Sequence, residues 1–150
     1  MGRNRKTWAE KLEEARRKSD LPAVKLCDKT GKLLALPCVA DVETQMLSVP
    51  QGRVRTIRQM TDDFAAKYKA DMACPMLTGI LVWIVAHAGD ESGTPDVPWW
   101  RVVKSDGKLN PKFPGGPAKQ KALLEAEGID IEEGTGKTPP RIRNLDRVLS

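Results

Sequence analysis

Apolar residues recur at intervals of three and four along several stretches of the chain, a pattern that predicts amphipathic helices. In residues 7–18 (TWAEKLEEARRK), the pattern places Trp8, Leu12 and Ala15 on one face. Thr7 stands where a capping hydroxyl is preferred, so the predicted helix begins directly after it.

Three more helices are predicted in the middle of the chain. The stretch 41–47 (DVETQML) predicts a short helix, and Thr56 with Gln59 forms a capping-box pattern for another that runs to about Lys69. Pro75 suits a first helical turn, and residues 76–87 are apolar almost all round. This last helix should therefore be buried on most sides, with residues 89–93 (GDESG) forming a solvated loop after it.

The rest of the chain predicts short extended elements and one more helix. Residues 21–42 are interrupted by prolines and are interpreted as extended or irregular. Val102-Val103 favours a strand, and Ser105-Asp106-Gly107 indicates a hairpin turn. A helix over 118–127 should end at Gly128, and residues 141–149 (RIRNLDRVL) should form a short strand or turn packed on the body.

Helix, turn, helix and hairpin follow one another in the order of a winged helix-turn-helix. The fold class is therefore predicted to be mainly α with a small β-hairpin: a winged helix-turn-helix DNA-binding domain with an N-terminal helical extension. The predicted parts are an N-terminal helix and extended segment over 1–47, the winged-helix domain over 48–128 and a packed C-terminal tail over 129–150.

Charge is concentrated where this fold would meet a duplex. The 150 residues carry a formal net charge of +5, and residues 97–121 hold six basic side chains against Asp106 alone. Phosphate contacts supply most nonspecific DNA affinity, so the distribution suits duplex DNA, although a solvated lysine-rich surface explains it equally well.

The cysteines and the apolar runs also limit which cellular location, membrane association and cofactors are expected. An odd number of cysteines and no secretory segment favour an intracellular protein, cytoplasmic and nucleoid-associated when bound to DNA. The longest apolar run, residues 80–86, is far too short to cross a membrane, so no membrane partner is expected. Cys27, Cys38, Cys74 and His87 lack the spacing of a zinc site, and no cofactor is predicted.

The pair Trp99-Trp100 in PWWRVVKSDGKL admits two interpretations. In the first, the pair packs on the core from alternating strand positions, with one ring facing in and the other facing out. Alternatively, a flat ring can stack on an extruded base beside a pocket. We expect one tryptophan to be structural and the other to be a pocket residue.

Residues 48–128 resemble the C-terminal DNA-binding domain of the O6-alkylguanine-DNA alkyltransferases. The resemblance depends on GRVRTIRQM, Thr78-Gly79 in the following helix, PWWRVVKSDGKL, PGG and LLEAEG, in that order and spacing. The chain is more similar still to a small branch of the methylguanine-DNA methyltransferase family with an N-terminal helix like WAEKLEEA and a segment like CPMLTGI.

The decisive departure lies in the family's PCHR motif, whose cysteine takes up the alkyl group. Here Trp99 holds the cysteine position and Trp100 the histidine position. Alkyl transfer needs a thiolate, which an indole cannot provide, so suicidal transfer by this route is excluded on chemical grounds. Alkyltransferase-like proteins, which bind alkylated guanine without repairing it, also lack this cysteine.

Other family positions are matched unevenly. Ile57 replaces the tyrosine that helps rotate the nucleotide, Met76 lies near the arginine that enters the vacated stack, and Phe113-Pro114 replaces Tyr-Ser. Met76 can still wedge between bases. Glu127 matches the glutamate of LLExEG, but without a thiol to activate it is interpreted as a helix-end residue, and Arg101 is expected to act structurally or at the pocket.

Three functions remain open at this point. The first is a noncatalytic protein of the alkyltransferase-like type, which binds a modified base in duplex DNA and passes it to other repair proteins. Its predicted pocket comprises Trp99, Trp100, Arg101, Phe113 and Pro114, and its predicted DNA contacts are Arg53, Arg55, Arg58, Met76, Lys104 and Lys108. The second is a general DNA- or RNA-binding regulator that has lost base flipping. The third is an enzyme with new chemistry at Glu127, Cys74 or Asp96.

Overall fold

Capping residues determine where most helices begin in the computed structural model, which describes residues 6–93 and 96–150. Within these residues the chain forms six helices: α1 Trp8–Arg17, α2 Val39–Leu47, α3 Ile57–Lys67, α4 Pro75–Ser92, α5 Gly116–Ala126 and α6 Leu145–Val148. The Thr7 hydroxyl accepts the Glu10 N–H at 3.1 Å, as predicted. Thr56 and Gln59 form the predicted capping box, with reciprocal bonds of 3.1 and 2.9 Å.

Helix α4 is longer than predicted. It continues to Ser92, so the prediction of a loop over 89–93 is wrong. Gly89 is tolerated inside the helix, whereas Gly93, with a φ of 75°, adopts the left-handed conformation that ends it. The expected burial is also incomplete, because Met76 and Ile80 are 75% and 45% exposed.

The segment interpreted as irregular contains a hairpin. Strands β1 Ala23–Leu26 and β2 Leu33–Leu36 pair antiparallel around a tight turn, and β4 Met72–Ala73 adds to β2 in parallel. Helix α2 begins two residues earlier than predicted because Asp41 accepts the Cys38 N–H at 3.2 Å and caps it there.

The predicted wing hairpin forms its turn but not its two-stranded ladder. Strand β5, Val102–Val103, pairs in parallel with β3, Arg55–Thr56. The turn after it is closed by hydrogen bonds between the Lys104 and Lys108 backbones, and Lys108 bridges to Arg141. The residues after the turn therefore pair with the C-terminal tail and not with β5. In that tail, β6 Ile131–Glu132 and β7 Arg141–Ile142 pair antiparallel.

Two apolar clusters form the core. The larger one joins α2, α3 and α4 around Met46, Phe64 and Val82, while the smaller one packs the tail onto β3, β5 and α5 around Leu109 and Leu124. Trp100 packs against both clusters. Apolar residues of the C-terminal tail are therefore part of the smaller cluster, among them Ile129, Ile131 and Ile142.

Helix α1 is fixed to α4 along its length. Leu12 and Ala15 pack on the larger cluster, and the Trp8 ring stacks on His87 with centroids 4.2 Å apart. The first N–H groups of α1 donate to the Glu91 carboxylate at 3.1 and 3.2 Å. Each helix of the described residues falls short of the combined length and apolarity that a membrane crossing requires.

Candidate nucleic-acid interface

Trp99 lies in the core of the protein. Residues Trp99–Arg101 form a single turn of 3-10 helix before β5, and Trp99 is 1% exposed. Its ring packs edge to face against Phe113 and against Trp100, with centroids 5.8 Å apart in both cases. Trp99 is therefore the structural member of the tryptophan pair, which corrects its assignment as a pocket residue.

Trp100 and Arg101 are both held by one carboxylate. The Glu127 side chain accepts the Trp100 indole N–H at 2.6 Å, the Arg101 Nε–H at 3.0 Å and the Gly52 backbone N–H at 2.9 Å. A second Arg101 nitrogen donates to the Val49 carbonyl at 2.8 Å. Glu127 follows the last residue of α5, so the cluster ties that helix end to the turn before β3.

The electrostatics of this cluster are those of a structural ion pair. Burial raises the pKa of Glu127, but hydrogen bonds from Arg101, Gly52 and Trp100, together with the Arg101 charge, outweigh it and hold the pKa below its ordinary value. The carboxylate remains charged at neutral pH, with donors at both of its oxygens. Glu127 does lie at the end of α5, as the sequence interpretation has it. That interpretation did not identify its partners Gly52, Trp100 and Arg101, which are distant from it in sequence.

An open cavity of about 410 Å³ lies between the start of α4 and the residues after β5. Its lining comes from α4 on one side and from the turn and loop on the other: Pro75, Met76, Gly79, Ile80, Trp83, Lys104, Asn110, Pro111 and Lys112. The walls are mostly apolar, and both charged residues are lysines. The cavity thus combines flat or apolar surface with positive charge.

Two of the predicted pocket residues, Phe113 and Pro114, lie behind the cavity wall and are not part of its lining. The Lys112 carbonyl accepts the Trp83 indole N–H at 3.1 Å and lies 2.8 Å from His87 Nε2, which fixes the loop against α4. The next two residues, Phe113 and Pro114, are buried, and Phe113 rests on Trp99. Phe113 and Pro114 therefore hold the cavity wall in place, which corrects their assignment as its lining.

Three of the predicted DNA contacts are exposed on this side of the molecule. Met76 is 75% exposed, and the side chain of Arg58 is 78% exposed, 4.0 Å from Asp62. Lys104 is exposed and lines the cavity. A second concavity of about 600 Å³ contains Arg58 and Thr61 of α3 and shares Pro75 with the first. Together they form one continuous surface across α3, α4 and the turn after β5.

The other predicted contacts are engaged within the protein. Arg53 donates to the Arg147 carbonyl at 2.7 Å. Arg55 donates to Gln45 at 2.7 Å, pairs with Asp63 and has a side chain only 15% exposed. Lys108 lies 3.3 Å from Asp106 in the same turn. Each still contributes charge, but Arg55 acts first as a link between α2, α3 and the C-terminus.

The residues of the enzymatic interpretation are not brought together. Cys74 is the N-cap of α4, where its sulfur accepts the Leu77 N–H at 3.4 Å. Asp96 lines a separate cavity between α1 and α4, and Glu127 belongs to the ion-pair cluster. Over residues 6–93 and 96–150, no group of three or more histidine, cysteine or acidic side chains is arranged to hold a metal ion.

Comparison with known proteins agrees with this architecture. A family model described as the DNA-binding domain of 6-O-methylguanine DNA methyltransferase matches residues 37–129, more than half of the chain. Comparison with curated proteins gave no match.

Solved structures show the same fold. The structure is similar to S. pombe Atl1 in complex with damaged DNA containing O6-carboxymethylguanine, at 24% sequence identity and a TM-score of 0.55, over 75% of this chain and 93% of that one. It is also similar to S. pombe ATL in complex with DNA, at 23% identity and a TM-score of 0.54, with the same coverage.

These likenesses confirm the predicted fold class, mainly helical with a helix-turn-helix of the DNA-binding type. The family match also covers the segments in which the sequence resemblance was found, from the capping box of α3 to the end of α5. The chain therefore belongs to the 6-O-methylguanine DNA methyltransferase family through its DNA-binding domain.

Proposed function

We propose that the protein is a noncatalytic member of this family that binds a modified base in duplex DNA, in the manner of the alkyltransferase-like proteins. The proposal depends on Trp99, a buried indole that stands where the sequence resemblance implies the family's nucleophilic cysteine. An indole forms no thiolate, and the neighbouring Trp100 is a hydrogen-bond donor that cannot serve as a base. The family's DNA-binding domain is retained over residues 37–129, while the reactive group implied by the resemblance is replaced.

The surface around the start of α4 would provide the contacts with the duplex. Arg58 and Lys104 are exposed cations on either side of Pro75, suited to phosphates of the backbone. Arg53, Arg55 and Lys108 add positive charge nearby but would have to exchange internal partners to bind directly. Lys104 and Lys112, the two charged residues of the cavity lining, are both cations, and this positive charge favours a polyanion over a neutral ligand.

The cavity beside Met76 would hold the extruded base. Its volume of about 410 Å³ accommodates a nucleobase with a substituent, and Trp83 and Ile80 offer flat or apolar surface for contact with it. Met76 projects from the first turn of α4, where an apolar side chain can enter the base stack and help keep the base out. The structural neighbour S. pombe Atl1 was solved in complex with damaged DNA containing O6-carboxymethylguanine, which supports the proposal that the ligand is DNA with a modified base.

A binding titration on matched duplexes tests the proposal. Duplexes of one sequence, with and without a single O6-methylguanine, are compared at the same salt concentration. We expect tighter binding to the modified duplex, by about tenfold or more, which corresponds to about 1.4 kcal/mol. Equal affinities for the two duplexes would rule out lesion binding.

A transfer assay tests the absence of chemistry separately. After incubation with a duplex labelled on the alkyl group, we expect no label on the protein and an unaltered base. Cys74→Ala is the control variant, because Cys74 is a half-exposed thiol in the same domain. Label on the parent protein that is lost in this variant would show that Cys74 is a displaced nucleophile.

A general DNA- or RNA-binding regulator is the second candidate. Ile57 and Met76 favour it, since they stand where the resemblance implies residues that rotate the nucleotide and fill the stack. This candidate predicts equal binding of modified and unmodified duplexes with the same salt dependence. In either case we propose a cytoplasmic protein, nucleoid-associated when bound, and in the first case one that presents the lesion to other repair proteins.

A further inference from the structure

Helix α4 presents an apolar ridge with a groove on each side. Met76 and Ile80 are the most exposed residues of the ridge, and Trp83 continues it one turn further. On one side lies the cavity of about 410 Å³ already described. On the other side, a groove of about 230 Å³ separates α4 from α1, and it shares Ile80 and Trp83 with the cavity.

Each groove carries two lysines on the wall that faces α4. Lys104 and Lys112 line the cavity, and Lys11 and Lys18 line the groove formed by α1. Within the described residues, none of the four forms an ion pair with a carboxylate. Glu14 is the acidic residue in the α1 groove, and it is paired with Lys6.

The position of α1 is fixed by contacts at both ends and in the middle. Glu91 of α4 accepts its first N–H groups, and Trp8 packs between His87 and Trp83. Near its C-terminus, Arg16 pairs with Glu43 of α2 at 2.8 Å. The lysines of α1 are therefore held beside the ridge by a docked helix and are not carried on a free arm.

We propose that α1 forms the second edge of the DNA interface, with Lys11 and Lys18 contacting phosphates of one strand while Lys104 and Lys112 contact those of the other. A duplex groove is bordered by one phosphate backbone on each side, so a ridge inserted into it meets phosphates on both flanks. The inference rests on the proposed DNA binding and extends it to a helix outside residues 37–129, the part that matches the family model.

The salt dependence of DNA binding tests this assignment. Each phosphate contact contributes about 0.9 to the slope of log K against log salt concentration. We expect Lys11→Gln and Lys18→Gln each to reduce the slope by about 0.9 and the double variant by about 1.8. Lys11→Arg and Lys18→Arg retain the charge and should keep the parent slope.

Arg17→Gln is the matched control. Arg17 and Lys18 are neighbours at the end of α1, and each substitution removes one positive charge from the same helix end. Arg17 lies on the outer face of α1, however, and lines neither groove. We expect Arg17→Gln to leave the slope unchanged, because an exposed charge that makes no phosphate contact is largely screened beyond about 8 Å at 0.15 M salt.

Two results would overturn the inference in distinguishable ways. If Lys18→Gln and Lys11→Gln match Arg17→Gln while Lys104→Gln lowers the slope, α1 is no part of the interface and the proposed function stands. If the parent protein shows no salt-dependent duplex binding, the proposed function fails and this inference with it. Lys18 is exposed at the helix end, so its variant tests the proposal even if Lys11→Gln, which removes a cation 4.1 Å from the Trp8 ring, loosens α1.

Discussion

Two parts of the family domain differ in burial in this protein: the Trp99–Arg101 turn is largely buried, whereas the start of α4 is exposed. In the Trp99–Arg101 turn, the first side chain is buried in the core, and the polar groups of the other two donate to Glu127 and Val49. At the start of α4, Met76 and Ile80 are exposed, and Lys104 faces them without an acidic partner among the described residues. The Trp99–Arg101 turn is thus a structural support, whereas the surface at the start of α4 is open.

This difference implies that stability and binding should respond separately to mutation. A buried, fully hydrogen-bonded cluster contributes to folding, and its loss leaves cavities or unpaired charges. An exposed ridge contributes little to folding, and on the proposed function its loss would remove contacts made only with DNA. Substitutions in the two regions can therefore test whether the separation is real.

Trp99→Ala should have the largest effect. Removing a fully buried aromatic side chain typically costs about 3–5 kcal/mol, because the cavity left behind is only partly filled by its neighbours. Urea unfolding followed by tryptophan fluorescence measures the loss. Trp99→Phe, which retains an aromatic ring against Phe113, is the control and should lose clearly less. A loss below about 1 kcal/mol for the alanine variant would show that Trp99 is not a core residue.

Glu127→Gln should come next, at about 3 kcal/mol, since it leaves Arg101 without its charge partner in a site where both side chains are at most 15% exposed. Glu125→Gln is the matched control, because Glu125 is exposed on the same helix end. The two variants should differ clearly in the free energy of unfolding measured in urea. Equal stabilities would show that the ion pair contributes nothing.

The same cluster predicts a dependence on pH. Because the folded-state pKa of Glu127 lies below its ordinary value of about 4.3, its contribution is present above that value and is lost as the pH falls through the folded-state pKa. The stability of the parent protein should therefore fall as the pH is lowered below that ordinary value, and more steeply than that of Glu127→Gln. Asp41, whose pKa is also lowered through Lys67, Tyr68 and Cys38 against the effect of burial, accounts for part of the remaining slope.

The sequence predicts the helices of this fold better than its site. Capping boxes and an i, i+4 apolar pattern involve neighbours along the chain, so Thr56 and Gln59 could be recognised directly. The partners of Glu127 come from residues 52, 100 and 101, which local patterns cannot bring together. For the same reason, Val102-Val103 was correctly predicted as a strand but paired with the wrong segment, since Arg55–Thr56 lies far away in sequence.

Met76→Ala should leave stability almost unchanged and weaken binding. The side chain is 75% exposed, so its truncation removes little buried surface. If Met76 enters the base stack, affinity for the modified duplex should fall by about tenfold, or about 1.4 kcal/mol. Leu47→Ala, which truncates an exposed apolar side chain at the end of α2, is the control and should bind like the parent. Equal loss in both variants would point to a nonspecific effect of surface hydrophobicity.

Gly79→Ala should have a small effect but change stability and binding in opposite directions, which separates the two properties most sharply. Gly79 lies inside α4, and a Cβ built there meets no heavy atom within 4 Å, so the methyl group fits the isolated protein. Alanine in a helix interior is favoured over glycine by about 0.5–1 kcal/mol, and the variant should unfold at higher urea concentration than the parent.

Gly79 also lines the cavity beside Met76, where the added methyl group would occupy space needed by the base or its backbone. We therefore expect a variant that is more stable and binds the modified duplex less tightly. Unchanged affinity would place the bound base elsewhere than in this cavity.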